Sequence, residues 1–295
     1  MGEAIYRNYD AEALYEQYNN RAMTPADELE AIKADQASRS DAYRAAASRA
    51  ELDVAYGPHA RERLNLFLPE AENPPLLAYM HGGYWQWNDK EPFDFLAEQL
   101  VADGAAFANI EYALCPNVTM TELADQIRRA LAHLWREADR FGYDRSRIVV
   151  SGHSAGGHLT AMMMATDWPS FGDGLPADLV AAGLPISGIY DLEAVRLIPL
   201  NEAARLDVAE ARALSPMFMT PATRAPMTVV VGGTESEEFH RQADDFTRAW
   251  RDTGITADIL TVPGRDHFTV LNALAEPGHE LLTAAHGLLG IETGR

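Results

Sequence analysis

The sequence is poor in cysteine, in positive charge and in long apolar runs, and each shortage removes a class of protein. A single cysteine, Cys115, in 295 residues leaves no internal disulfide framework and suits a reducing compartment, where a lone buried thiol is inert packing. Against 44 Asp and Glu stand only 24 Lys and Arg, a formal charge of −20. Neither nucleic acid nor an anionic membrane is then an expected partner, since both demand basic patches. No stretch approaches the roughly 20 apolar residues that span a bilayer. The N-terminus "MGEAIYRNYDAEALYEQYNN" lacks the apolar centre of a secretory signal, so a cytoplasmic protein is expected. H-E-x-x-H and zinc-type Cys/His spacings are missing too, and neither a metal nor another cofactor is expected.

What is present is ordinary globular composition, 47% hydrophobic and 23% charged, with length for one large α/β domain. Residues 1–50 read as an N-terminal helical extension whose polar pattern does not resemble core; it could cap a cleft or form a contact in a homodimer. Residues 51–295 read as one domain. Three strand-like runs, "ELDVAYG", "RLNLFLP" and "PPLLAYM", are followed by regular alternation of helix and strand that begins with a helix over "PFDFLAEQLVADG". That rhythm implies a mostly parallel central sheet covered by helices on both faces, with the opening strands antiparallel at one edge. Between Tyr190 and Pro226 the alternation lapses into a Pro-containing excursion. It is either a lid or a connection in which "NEAARLDVAEARAL" forms a helix.

The strongest chemical signal is "RIVVSGHSAGGHL". Gly152, Ser154 and Gly156 form G-x-S-x-G directly after an apolar strand and directly before a helical run, the context of a nucleophile held on a sharp turn. "MHGGYWQWNDK" puts a glycine pair just past the third strand. Acyl transfer needs two or more backbone N–H donors about 3 Å from a developing oxyanion, and glycine permits that approach. Gly82 and Gly83 would donate from one side and Ala155 from the other, with His81 bracing the loop.

A serine nucleophile needs a base, and the base an orienting carboxylate; in folds that hold the serine on a strand-to-helix turn of this kind the chain order is Ser, acid, His. His267 in "TVPGRDHFTVL" follows the last strand and is the expected base. His240, His279 and His286 lie in helical stretches, and His153 and His158 flank the turn, where they would pack or line the site. The expected acid is Glu235 in "TVVVGGTESEEFH", with Asp191 in "SGIYDL" as the alternative. Asp266 adjoins the base too closely in sequence to reach its ring. Glu237 and Glu238 suit the first turn of the next helix. Tyr84, Trp85, Trp87 and His153 are candidate substrate contacts, the aromatics by stacking on an aryl group.

In order, "HGGYW", "EYALCP", "SGHSAGGHL", "SGIYDL", "GTESEEFHRQ" and "GRDHF" resemble α/β-hydrolases. "HGGYW" in particular is similar to the signature of arylformamidases, or kynurenine formamidases, and "EQYNNRAMTP" is similar to the N-terminal segment of their bacterial members. The resemblance implies an α/β-hydrolase fold with Ser154 as nucleophile, His267 as base and Gly82, Gly83 and Ala155 as the oxyanion hole. It places the acid at Glu235, where the family usually shows Asp in a D-S-x-E-F context. It further implies hydrolysis of N-formyl-L-kynurenine to kynurenine and formate. Two other functions are compatible with the motifs: a carboxylesterase acting on small aryl or alkyl esters, and a non-catalytic binding relative.

Overall fold

The apolar runs of the sequence become the centre of one eight-stranded sheet. The computed structural model describes residues 2–292. Its chain begins with helices α1 (Ala11–Tyr18), α2 (Asn20–Met23) and α3 (Ala26–Ala46), then strands β1 (Ala50–Ala55), β2 (Arg63–Phe67) and β3 (Leu76–Met80). There follow α4 (Ala97–Ala102), β4 (Ala106–Ile110), α5 (Met120–Phe141), β5 (Ile148–His153), α6 (Ala155–Ala165), α7 (Trp168–Phe171) and β6 (Ala182–Ile186). Three short helices, α8 (Glu193–Arg196), α9 (Asn201–Ala204) and α10 (Val208–Ala213), precede β7 (Met227–Gly232), α11 (Glu237–Arg251), β8 (Ala257–Val262) and α12 (Glu280–Leu289).

The strands lie in the order β1-β2-β4-β3-β5-β6-β7-β8. Pairs β1/β2 and β2/β4 are antiparallel and every later pair is parallel. Side chains of a strand alternate between faces, so each parallel strand feeds two cores. Leu76, Ala78 and Met80 of β3 join the core built with α5, α6 and α11. Leu77 and Tyr79 join the one built with α4 and α12. This double burial explains why the central strands read as continuous apolar runs. Helix α5 is bounded as its sequence suggests: Thr119 Oγ accepts from the Glu122 N–H at 3.1 Å, and Gly142 ends it at φ 84°. None of the described helices is long and apolar enough to cross a membrane.

Three segments differ from the sequence reading. "PFDFLAEQLVADG" is not one helix: Glu91–Leu96 forms a 3₁₀ turn before α4. The tighter turn carries Asp94 into a buried cluster where it accepts from Asn65, Asn109 and Arg44. "NEAARLDVAEARAL" is broken into α9 and α10 at Arg205, which sits at φ 55°. Asp207 then caps α10, accepting from the Glu210 N–H at 2.7 Å, a local bond that competes with helix continuation. Finally, the polar N-terminal helices do contribute to the core: Leu14 and Tyr18 are fully buried, and Tyr18 packs against Phe239.

Candidate active site

Strand register assembles the site. Met80 of β3 pairs with Gly152 of β5, so the glycine loop after β3 lies beside the turn that ends β5. That turn leaves Ser154 at φ 56°, ψ −114°, a region costly for any residue with a Cβ and held here by the parallel neighbours. The Ser154 N–H donates to Ile186 O at 2.8 Å. Space dictates the flanking glycines: a Cβ on Gly156 would lie 2.0 Å from Met80 O, and one on Gly152 2.4 Å from Gly156 O.

His267, on the loop after β8, reaches across to this turn. Its Nε2 lies 3.0 Å from Ser154 Oγ and its Nδ1 2.7 Å from Glu235 Oε2. Glu235 has no exposed side-chain surface. Its other oxygen accepts from the Gly232 N–H at 2.7 Å and from the Ser187 hydroxyl. With both oxygens so engaged, the carboxylate has one orientation, and Nδ1 is the ring nitrogen that donates to it. Asp191 is elsewhere: it accepts from Tyr6 OH at 2.8 Å and from the Glu193 N–H at 3.1 Å. Asp266 organises its own turn, taking the N–H groups of Phe268 and Thr269.

Gly82 and Gly83 border the cavity beside Ser154. A Cβ on Gly82 would stand 3.1 Å from the Ser154 Cβ, and Gly83, at φ 122°, would bring one 2.3 Å from Trp87 O. Among the described residues, the N–H groups of Gly82, Gly83 and Ala155 donate to no protein acceptor. Such donors are rare away from water and are left for a ligand. His81 braces the loop, with Nδ1 2.8 Å from Gly82 O and Nε2 3.0 Å from Glu111 Oε1. Glu111, which the motif search passed over inside "EYALCP", also binds Arg61 and the N–H groups of Lys90 and Tyr112. A buried carboxylate bonded to separate segments is visible only once they meet.

The remaining histidines have other work. His286 pairs with Asp103 at 3.1 Å, His279 caps α12, and His240 lies on α11. His153 lines the cavity, its ring 4.7 Å from that of His267. Burial first, and the neighbouring His267 second, hold its pKa well below the usual range, so it is neutral there. His158 is fully buried, with Nε2 2.8 Å from Leu214 O and, among the described residues, no partner for Nδ1. Burial lowers its pKa to about 4.

The sign of that shift is testable. An unfolded histidine takes up its proton near pH 6.5, whereas folded His158 resists until about 4, so its share of stability is complete above pH 6.5 and is lost as pH falls towards 4. The slope is about 1.4 kcal/mol per pH unit. In urea unfolding between pH 7 and pH 5, His158→Gln loses stability less steeply than the wild type. Parallel curves would refute this.

The cavity in front of Ser154 holds about 470 Å³, enough for a small aromatic substrate. Of the expected contacts, Tyr84, Trp87 and His153 line it. Trp85 does not: it is fully buried, its ring edge-on to His158 at 5.1 Å. Successive residues of a tight loop point to different sides, so one of three adjacent aromatics is taken into the core. Phe93, Phe268 and Leu271 supply apolar wall the sequence reading missed, because an apolar side chain beside a motif residue carries no chemistry of its own to mark it.

Much of the remaining wall comes from the N-terminal helices, including Tyr15, Tyr18 and Asn20. These helices bond to three of the loops that carry site residues. Tyr84 OH donates to Tyr18 O at 2.6 Å, Ser236 Oγ to Gln17 O at 2.7 Å, and Gln36 Nε2 to Phe268 O at 3.2 Å.

Comparison with known proteins identifies the relatives of the chain. A family model described as BD-FAE matches residues 64–173. The chain is 31% identical to kynurenine formamidase of Danio rerio over 81% of its own length and 82% of that protein's. To esterase LipQ of Mycobacterium tuberculosis it is 26% identical, over 82% and 62% of the two lengths. Among solved structures, a protein of Silicibacter sp. provisionally assigned as a thioesterase superposes with a TM-score of 0.81 at 32% identity, covering 91% of this chain and 97% of that one. An esterase of Pyrobaculum calidifontis, at 18% identity, TM-score 0.70 and coverage of 96% and 98%, shares the fold. The chain is therefore a hydrolase of the α/β-hydrolase fold and belongs to the kynurenine formamidase family.

Proposed function

We propose that the protein hydrolyses an aryl formamide such as N-formyl-L-kynurenine, releasing formate, with Ser154 as nucleophile, His267 as base and Glu235 as the orienting acid. The observation that carries this reading is the continuous bonded path from Ser154 Oγ through His267 to Glu235, beside backbone N–H groups left without acceptors. His267 Nε2 takes the hydroxyl proton as Ser154 Oγ attacks the formyl carbon, and the carbonyl oxygen becomes an oxyanion held by Gly82, Gly83 and Ala155. The imidazolium, stabilised by Glu235, then gives its proton to the departing aryl amine as the C–N bond breaks. Water, deprotonated by His267, attacks the formyl-serine, and collapse of that second intermediate releases formate and restores Ser154. Each step uses only this chain's residues and water. The N-terminal helices act as a cap over the cleft.

The esterase LipQ relative supports a second reading, a carboxylesterase using the same machinery. The two separate on rates. Purified protein is expected to turn over N-formyl-L-kynurenine with a kcat/KM at or above about 10⁴ M⁻¹s⁻¹. Cleavage of a short-chain p-nitrophenyl ester without the formamide would move the assignment to carboxylesterase.

A further inference from the structure

The charge of the cavity is opposite to that of the chain. Asp and Glu outnumber Lys and Arg by 44 to 24, yet the cavity wall carries Arg21 and Lys33 and, among the described residues, no acidic side chain. Glu235, the carboxylate nearest the chemistry, has no exposed side-chain surface and lies behind His267. An anion meets general repulsion over the surface of such a protein, so a local reversal of sign at the cavity in front of Ser154 is a selective feature.

The two cations are not equivalent. Lys33 Nζ is already held by Glu30 at 2.8 Å. Arg21 has no ion pair or side-chain hydrogen bond among the described residues, and its Cζ lies 4.4 Å from the ring centroid of Trp87. A cation held over an aromatic face keeps its N–H donors unspent, and a guanidinium can then bond a carboxylate. The stack is itself supported. Trp87 stands edge-on to Tyr84 at 6.3 Å, and Tyr84 OH is bonded to Tyr18 O at 2.6 Å, just before the short helix that carries Arg21. The same loop therefore presents Gly82 and Gly83 to the reacting carbonyl and Trp87 to Arg21.

We propose that Arg21, held on Trp87, is the residue of this site that recognises a substrate carboxylate remote from the scissile bond. The proposal rests on the reading of the Ser154 cavity as the catalytic site and deepens it by naming the residue that selects the far end of the substrate. One face of Trp87 is covered by Arg21, so the aryl ring of the substrate packs against Phe93, Phe268 and Leu271 instead.

The test measures binding and needs no turnover. Benzoylpropionate and its primary carboxamide, equal in shape but not in charge, are titrated calorimetrically into Ser154→Ala protein. The acid is expected to bind about tenfold or more tightly than the amide, with a preference that shrinks as salt rises. Adding Arg21→Met, which keeps an apolar chain on Trp87, removes the preference and leaves amide binding within twofold. Arg21→Lys retains part of it. Equal affinity for acid and amide, no binding of either, a preference that survives Arg21→Met, or equal weakening of both ligands by that change each overturns the proposal. Formamide turnover by the wild type is scored separately. A carboxylate preference without such turnover removes the formamidase reading and leaves this one standing; turnover without the preference does the reverse.

Discussion

Ser154→Ala lowers kcat by about 10⁵-fold on whichever acyl substrate the protein turns over. The substitution removes one oxygen from a nearly closed position, since Ser154 is 2% exposed. The backbone at φ 56° is equally uncomfortable for Ala and Ser, so the strain is common to both proteins and cancels in the comparison. What is lost is the Oγ that His267 Nε2 faces at 3.0 Å. What stays is the cavity and the N–H groups of Gly82, Gly83 and Ala155, which still polarise a bound carbonyl and sustain a residual rate above that in water. Single-turnover kinetics and a thermal melt check it together. Residual activity above about 1% with an unchanged melt would remove Ser154 from the chemistry, because no enzyme tolerates loss of its nucleophile so well.

Glu235→Gln lowers kcat by about 10³- to 10⁴-fold, whereas Asp191→Asn changes it only a few-fold. The reason is the crowding around Glu235. Oε1 accepts two donors, the Gly232 N–H and the Ser187 hydroxyl, and an amide must turn its oxygen towards them. Its NH₂ then faces His267 Nδ1, where Oε2 lay at 2.7 Å. A donor at that place selects the tautomer with the proton on Nε2, and such a ring offers Ser154 a hydrogen instead of a lone pair. The ring stays in place but holds the wrong proton. Asn at position 191 can still accept from Tyr6 through its oxygen, so that change tests the N-terminal segment instead of the base. Steady-state rates of the two variants decide it, and a larger loss in Asp191→Asn would exchange the roles.

Glu235 also illustrates what could be read early and what could not. Position after a strand end and the order Ser, acid, His favoured it, but two carboxylates satisfied that order until the fold brought one of them to His267. The same limit applies to Asp94, Glu111 and Tyr18. Each is buried among partners drawn from distant segments, and no local pattern announces a bond across 29, 30 or 220 residues. Local chemistry was more legible. Thr119 and Gly142 bound α5 as a cap and a stop should, since both effects act within four residues. The break at Arg205 escaped notice because a run rich in Ala, Glu and Arg has good helix propensity, and the competing side-chain bonds of Asn201 and Asp207 interrupt it.

The sequence by itself determined the sheet, its antiparallel edge, and a serine on a sharp turn after the fifth strand. Apolar periodicity and glycine placement are local consequences of strand pleat and steric exclusion, and both survive in one dimension. Only the tertiary structure decided which carboxylate meets the ring of His267, which of three neighbouring aromatics is turned away from the cavity, and that Arg21 lies over Trp87 at its wall. Those outcomes depend on distances between segments far apart in the chain, and such distances exist only once the sheet has set its register and the N-terminal helices have closed over it.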